Sequence, residues 1–467
     1  MSGQLQRQGE VAVAPNGGAG GAAGARLSET GLALAARLGD RGAIGLGAAW
    51  TAVVLASVWR VGILWGGDTP HYADWSVIRP PLYPLFVAAA HRLFPGAGWL
   101  VIVWLQTVFG LLAALHLARA LRRHLAARPA TVLVAYGLLT LPLTPWSLLL
   151  GIYASVGNYL LTEALAYGFA LLALSFLLRA QGLTRWREYL GALTCIALAV
   201  LVRTQMVFLY ALVAAALWRE HRWGRPRRAV VAAFLAVLCV AAVDIGQRLY
   251  HAAVHQHFGR VPLLGSGLLV SALYVSPPDA HRSLADDRPA AVVREARRRL
   301  GELRVLAGDR HGTSHSLVSL YNDSYNRILG VVTDTFSAVY GLRSWSDQMF
   351  VRYEAFAWTV APRLIAASGL AYPKLVLLKF LYGFGFREGV FLTLVLLLGR
   401  LPVRRDVRTL AWLVAVPLLV NRALLAPVTY MADRYVFYTD ILEYVVLAVL
   451  LMELAEQRKG GTQAPGR

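Results

Sequence analysis

The sequence predicts an all-α integral membrane protein, a polytopic bundle of about 10 transmembrane helices with an extracytoplasmic, mostly helical domain. Three observations carry this. Of the 467 residues, 57% are apolar and only 15% charged, and the mean hydropathy is +0.52. The apolar residues come in runs near the length that crosses a hydrocarbon core of about 30 Å as a helix. The net charge of +20 is almost all arginine, 43 Arg against 3 Lys, clustered in short segments between those runs. That placement follows the positive-inside pattern rather than a nucleic-acid surface, and the composition excludes a soluble multi-domain enzyme.

Taken in order, residues 1–41 are rich in Gly, Ala and Gln and too poor in large apolar side chains to offset ordering entropy, so a disordered cytoplasmic tail is expected. An N-terminal transmembrane module follows over 42–250. Its first span, 43–65, has Arg37 and Arg41 before it and the sparsely charged GGDTPHY after it, which puts the tail inside and Asp68 outside. No A-x-A-like cleavage site follows that run, so it reads as a retained anchor. The first outer loop, 66–98, holds RPPLYPLF, whose prolines interrupt any continuous helix, and a short amphipathic piece ending at Phe94. Further spans are expected at 99–121, 136–150 and 160–178. Residues 189–218 are too long for one upright helix and basic at both flanks, so they divide into two short helices turning near Arg203 and Gln205. A span at 229–250 leads out to an extracytoplasmic domain, 251–371, in which SLADDRPAAVVREARRRLGELRVL has helical spacing with Pro289 near its start. The C-terminal transmembrane helices, 372–455, and a cytoplasmic tail, 456–467, complete the chain. Cys195 and Cys239 both fall in apolar runs and offer neither a disulfide framework nor a zinc site.

This topology sends the unusual polar residues to one face: Asp68, Asp74, Arg79, Glu163, Arg203, the His251 group, Asp433 and Arg434. Ionisable groups at a membrane boundary are costly unless paired or wetted, so the collection defines a candidate site. Each member also has a plainer role. Asp68 would cap a short helix begun by Thr69 and Pro70; Glu163 would meet a helix N-terminus or pair with Arg203; Arg434 would be solvated beside Asp433. His251, His255 and His257 have a spacing that a metal could use, as do His311 and His315, although histidines at a membrane exit more often sit at the interface. There is no D-x-D, P-loop or G-x-G-x-x-G after a strand, so a metal-bound nucleotide-sugar site, ATP-driven transport and dinucleotide chemistry lack their residues.

The order of basic tail, span and GDTPHYADWSVIRPPLYPLF resembles the start of the GT-C-fold glycosyltransferases, in particular the polyprenyl-phosphate-dependent protein mannosyltransferase and aminoarabinose transferase-like membrane family. There an acidic residue of the first outer loop, within a D-x-x-x-Y pattern, precedes a Pro-Pro-Leu-Tyr stretch. Asp68 and Tyr72 match the first part; Pro80, Pro81, Leu82 and Tyr83 match the second. LLTEAL with Thr162 and Glu163, LVRTQMVFL with Arg203, and DRYVFYTDILE with Arg434 and Tyr435 extend the similarity. It covers 43–220 and the final forty residues and leaves the outer domain unmatched. The resemblance implies an inverting transfer of a sugar from a polyprenyl-phosphate donor to an envelope glycan or protein acceptor on the outer face. By the same resemblance Asp68, as base, and Glu163 are catalytic, Arg434, Arg203 and Arg79 bind the donor phosphate, and Tyr72, Asp74, Tyr83 and Tyr435 bind substrate. No cofactor is called for with certainty and a divalent metal is left open; the partners are the lipid donor, membrane lipids and the acceptor, with no nucleic acid. The preference for Arg over Lys and the Ala/Gly richness resemble a high-G+C bacterial proteome, so the expected location is a bacterial cytoplasmic membrane with both termini cytoplasmic. A lipid or solute transporter would also use broken helices and an intramembrane arginine, and a non-catalytic scaffold could use the outer domain to recruit a partner. The gathering of acids at one face, and the lack of a clear internal repeat, favour the enzyme.

Overall fold

The computed structural model describes residues 39–150, 153–180, 185–222, 226–309, 317–401, 403–430 and 433–460. The tail before residue 39, the last seven residues, His311 and His315 lie outside them, as do the side chains of Asp433 and Arg434. Among the described residues the regular structure is helical, with one isolated parallel bridge between Leu64 and Tyr159.

Helix α1 (Asp40–Val61) ends at Gly62, whose φ of +71° suits a residue without Cβ. The first outer loop holds α2 (Thr69–Ala73) and α3 (Leu82–Leu93) on either side of the double proline. Next come α4 (Gly98–Leu125) and α5 (Pro129–Thr140). The run that α5 begins is stopped by Pro142 and Pro145, which cannot donate to a helical ladder, and continues as short 3₁₀ turns. Helices α6 (Glu163–Arg179), α7 (Trp186–Val202), α8 (Tyr210–Arg222) and α9 (Pro226–His255) complete the first half. The break between α7 and α8 falls at Arg203, where the basic flanks require a turn. Beyond α9 lie α10 (Leu264–Val275), α11 (Asp287–Glu302), α12 (Leu317–Tyr340) and α13 (Asp347–Ala367). The last four helices are α14 (Ala371–Tyr382), α15 (Phe386–Leu397), α16 (Arg405–Leu425) and α17 (Asp433–Gly460).

Among the described residues five helices are long and apolar enough to cross a membrane: α1, α4, α9, α16 and the Tyr435–Ala455 part of α17. A sixth is added if α13 and α14, bent by 101° at their junction, count as one span. The expected ten spans therefore divide into uninterrupted helices and broken or shorter ones. Helices α6 and α7, at 17 residues each, rise about 26 Å, a little less than the hydrocarbon core. The run expected to form one span before Gly399 is split into α14 and α15 around Gly383 and Gly385. Asp433 and Arg434, expected in a polar loop, instead open α17. This is a multi-pass helical membrane protein, and most faces of α1 and α9 lie open to the surrounding lipid.

Two apolar cores result. The larger packs α4, α6, α7 and the 204–209 turn against α16 and α17, with buried Leu171, Ile196, Phe208, Leu418 and Phe437. The second gathers α10 to α14 around Leu273, Tyr321, Phe336 and Tyr353, and it takes in Val77 and Ile78 from the first outer loop. Close approach of α10 to the segment after α16 needs Gly267, where a Cβ would fall 1.9 Å from the carbonyl oxygen of Val428.

The break between α14 and α15 frees backbone carbonyls inside the protein, and Arg422 of α16 meets one of them. Its Nε donates to the Gly383 carbonyl at 2.5 Å, and its Nη2 reaches Asp440 at 3.0 Å and Glu388 at 3.3 Å. Arg387 adds contacts to Glu388, to Asp440 at 2.9 Å and to Glu443 at 3.1 Å. Because Arg422 is fully buried, its removal leaves the Gly383 carbonyl without this donor and three buried carboxylates, Glu388, Asp440 and Glu443, facing Arg387 alone. Arg422→Met is expected to cost about 3–5 kcal/mol, read as a lowered unfolding midpoint in mixed micelles, whereas a change within experimental error would refute this role.

Candidate active site at the first outer loop and the Arg203 break

Val202 ends α7, and the extended backbone of Arg203, φ −151° and ψ 112°, swings its side chain back toward α6. Arg203 Nη1 lies 2.9 Å from Glu163 Oε1 and donates to Thr162 Oγ1 at 2.9 Å. Its Nε donates to Gln205 Oε1 at 3.1 Å, and the guanidinium stands 5.3 Å from the ring centre of Tyr435. Gln205 in turn donates to the Tyr435 carbonyl at 2.7 Å and to Asn421 at 3.1 Å, which ties the break to α16 and α17. Glu163 is fully buried at the first position of α6, where the helix dipole favours its negative charge.

The first outer loop reaches the same place from the other side. Asp68 precedes α2 in the N-cap position, yet its side chain makes no capping hydrogen bond; it pairs with Arg79 Nη2 at 2.7 Å. Arg79 lies over the Tyr72 ring at 4.8 Å and donates to the Tyr72 hydroxyl at 3.4 Å. That hydroxyl is 3.4 Å from Thr162 Oγ1, so polar contacts run without a gap from Asp68 through Arg79, Tyr72 and Thr162 to Arg203 and Glu163. Tyr83 meets Tyr72 edge to face, with centroids 4.8 Å apart, and donates to Gln106 Oε1 at 3.3 Å. Gln106 donates to the carbonyls of Gly157 and Tyr159, and Thr69 to that of Leu160, so the loop is laid against the strand-like stretch before α6.

Burial opposes the charge of Arg79, but Tyr72 and Asp68 outweigh it and hold the guanidinium above its ordinary value. Burial raises the Tyr72 hydroxyl, which stays protonated. His71 is lowered by burial first and by Arg79 second, so its imidazole is neutral at pH 7.

Of the residues singled out in the sequence, Asp68, Tyr72, Arg79, Tyr83, Glu163, Arg203 and Tyr435 come together here. Asp74 is exposed at the end of α2, apart from this chain of contacts. Arg434 stands next to Tyr435 at the head of α17, its side chain outside the described residues. Sequence reasoning named Thr162 and Gln205 without giving them partners and passed over Gln106 and Asn421; the latter two are fully buried, and lone amides inside apolar runs were the signal that could have found them. It also passed over Asp347, which accepts from the Val77 amide at 3.0 Å and meets His255 Nδ1 at 2.9 Å, pinning the loop to the end of α9. The rings of His251 and His255 lie with centroids 5.4 Å apart, tilted by 33°. Among the described residues the grouping with spacing for a metal is Glu388, Asp440 and Glu443, whose oxygens lie within 4.8 Å of one another. There Arg387 and Arg422 already supply the positive charge.

The class defined so far is a multi-pass helical membrane protein with a largely buried, ion-paired polar cluster where a loop meets a helix break. Comparison with known proteins narrows it: residues 78–245 match the family model of the dolichyl-phosphate-mannose-protein mannosyltransferases. The matched stretch runs from within the 66–98 loop, after Asp68 and Tyr72, into α9 and contains Arg79, Tyr83, Glu163 and Arg203. The match supports a GT-C-type membrane glycosyltransferase, in agreement with the loop motifs. No curated protein and no solved structure matches the chain.

Two outcomes follow from the geometry. Arg203→Gln and Glu163→Gln should each destabilise the protein by about 3–5 kcal/mol if the remaining partner keeps its charge, and the double variant should cost less than their sum; strict additivity in unfolding titrations would show that the pair is not coupled. The lowered His71 means the folded state binds fewer protons than the unfolded one, so this contribution to stability is complete above the ordinary value of 6.5 and is lost as the pH falls through the folded value. Unfolding midpoints measured from pH 7.5 to 5 should therefore fall less steeply in His71→Gln than in the parent.

Proposed function

We propose that the protein transfers a glycosyl group, with inversion, from a polyprenyl-phosphate donor to a hydroxyl of an envelope glycan or protein at the outer face of a bacterial cytoplasmic membrane, with both termini in the cytoplasm. The observation that carries this reading is the unbroken run of contacts from Asp68 to Arg203, which joins an acid of the loop to guanidiniums at the membrane boundary.

The chemistry assigned to these residues is ordinary acid–base and electrostatic catalysis. An acceptor hydroxyl is a poor nucleophile at neutral pH, and Asp68 takes its proton as the oxygen bonds to the anomeric carbon. The bond from that carbon to the donor phosphate breaks, its electron pair passes to the phosphate, and the polyprenyl phosphate departs. Arg79 is half of the Asp68 pair, so it holds the base in place and can turn part of its planar fork to the phosphate. Arg434 would meet the same phosphate from the head of α17. Arg203 is occupied by Glu163, Thr162 and Gln205, and its part is to keep positive potential behind the phosphate and hold α6, α8 and α17 in register. Glu163, being fully buried, serves as a positioning residue for Arg203. Tyr72 and Tyr83, both fully buried, would back the substrate site from beneath the loop, half-buried Tyr435 would lie against substrate, and Asp74 at the exposed end of α2 would meet the acceptor.

The test is Asp68→Asn in proteoliposomes supplied with a polyprenyl-phosphate sugar and an envelope acceptor. Turnover should fall by about 10²–10⁴, with the affinity for the donor nearly unchanged. Turnover equal to that of the parent would refute the assignment, as a transporter or scaffold would tolerate the change.

A further inference from the structure

Away from the pocket described above, α8 and α9 leave a groove between them of about 470 Å³, lined by Val213 and Leu217 on one side and Ala236 and Val240 on the other. The groove is apolar along its length and ends at Asp244 and Arg260. Asp244 is shared: Arg248 Nε donates to it at 2.9 Å and Arg260 Nε donates to its other oxygen. Two guanidiniums against one carboxylate leave an excess of one positive charge at the groove's end, and Arg260 is 67% exposed there.

The height of this cluster follows from the helix itself. From Arg228 to Arg248 along α9 the rise is about 30 Å, the thickness of a hydrocarbon core. Arg227 and Arg228 then lie at one headgroup plane and the Asp244, Arg248 and Arg260 group at the other. Phe258, 62% exposed and 5.8 Å from the Arg248 guanidinium, sits at that level as interfacial aromatic residues do. Phe234, Val237 and Leu238 are exposed along the same helix, so the groove opens to lipid rather than to water.

We propose that this groove binds an anionic phospholipid of the surrounding bilayer, one acyl chain lying between α8 and α9 and the phosphate resting on Arg260 and Arg248. Charge complementarity selects an anionic headgroup over a zwitterionic one. The volume is that of a drug-sized ligand, which suits one acyl chain and is too small to enclose a long polyprenyl tail. The inference rests only on the chain's spanning a membrane, not on the transferase reading.

The experiment is native mass spectrometry of the delipidated full-length protein titrated with phosphatidylglycerol or phosphatidylcholine. Phosphatidylglycerol should be retained about fivefold better, the ratio that corresponds to about 1 kcal/mol for one basic residue at an anionic surface. Arg260→Gln, at an exposed position, should bring the two lipids to parity, and Ala236→Phe, which fills the groove, should reduce retention of phosphatidylglycerol. Equal retention of both lipids by the parent, an unchanged ratio in Arg260→Gln, or undiminished phosphatidylglycerol in Ala236→Phe would overturn the proposal. So would stoichiometric displacement of phosphatidylglycerol by a polyprenyl phosphate, which would assign the groove to the donor. Because retention and not sugar transfer is measured, failure here is separate from failure of the Asp68→Asn test.

Discussion

The ion pair between Arg203 and Glu163 is the constraint on which the rest of the pocket depends. A charged side chain among apolar helices costs several kcal/mol unless it is paired, and a helix break at the same place exposes backbone groups that lipid cannot satisfy. Both problems meet at Arg203 and both are answered there: the guanidinium takes Glu163 and Thr162 as partners, while the Arg203 amide donates to the Ala199 carbonyl and the Arg203 carbonyl accepts from the Met206 amide. Because Glu163 belongs to α6 and Gln205 bonds the Tyr435 backbone of α17, the break cannot relax without moving the helices that frame the pocket.

The same solution recurs wherever a helix is interrupted. Asn158 donates to the carbonyls of Val58 and Gly62 at the end of α1, Gln106 to those before α6, and Arg422 to Gly383 between α14 and α15. Each is a polar side chain sent from another segment to a main-chain carbonyl at a helix end or in a non-helical stretch. The interruptions are thus built into the packing, and the polar residues that mark them in the sequence are there chiefly to close them.

Helices α10 to α14 are joined to the Arg203 cluster by aromatic contacts. Lys379 lies 4.0 Å from the Tyr321 ring, and Tyr321, Tyr325, Tyr430 and Tyr435 follow one another at centroid distances of 5.8, 5.0 and 5.5 Å until the row ends under Arg203. Asp347, at the start of α13, fastens the first outer loop on the opposite side. The loop that carries Asp68 is therefore held by both apolar cores, and its Val77 and Ile78 are part of the second.

Hydrophobic run length and the clustering of arginine determined, from the sequence alone, that the chain is helical and crosses a membrane more than once, and they located the turn at Arg203, because these depend only on transfer energies read along the chain. The motifs around Asp68, Tyr83, Glu163 and Arg203 were legible for the same reason: each is a local pattern. What only the tertiary structure decided is pairing across distance. Asp68 turns from its capping position to Arg79, Glu163 takes Arg203 rather than water, and Gln106, Asn421 and Asp347 acquire roles that no local pattern announces. The continuity of the helices was likewise decided at Pro142 and at Gly383, since whether an apolar run stays one helix depends on whether a distant side chain is available to satisfy the carbonyls that a break sets free.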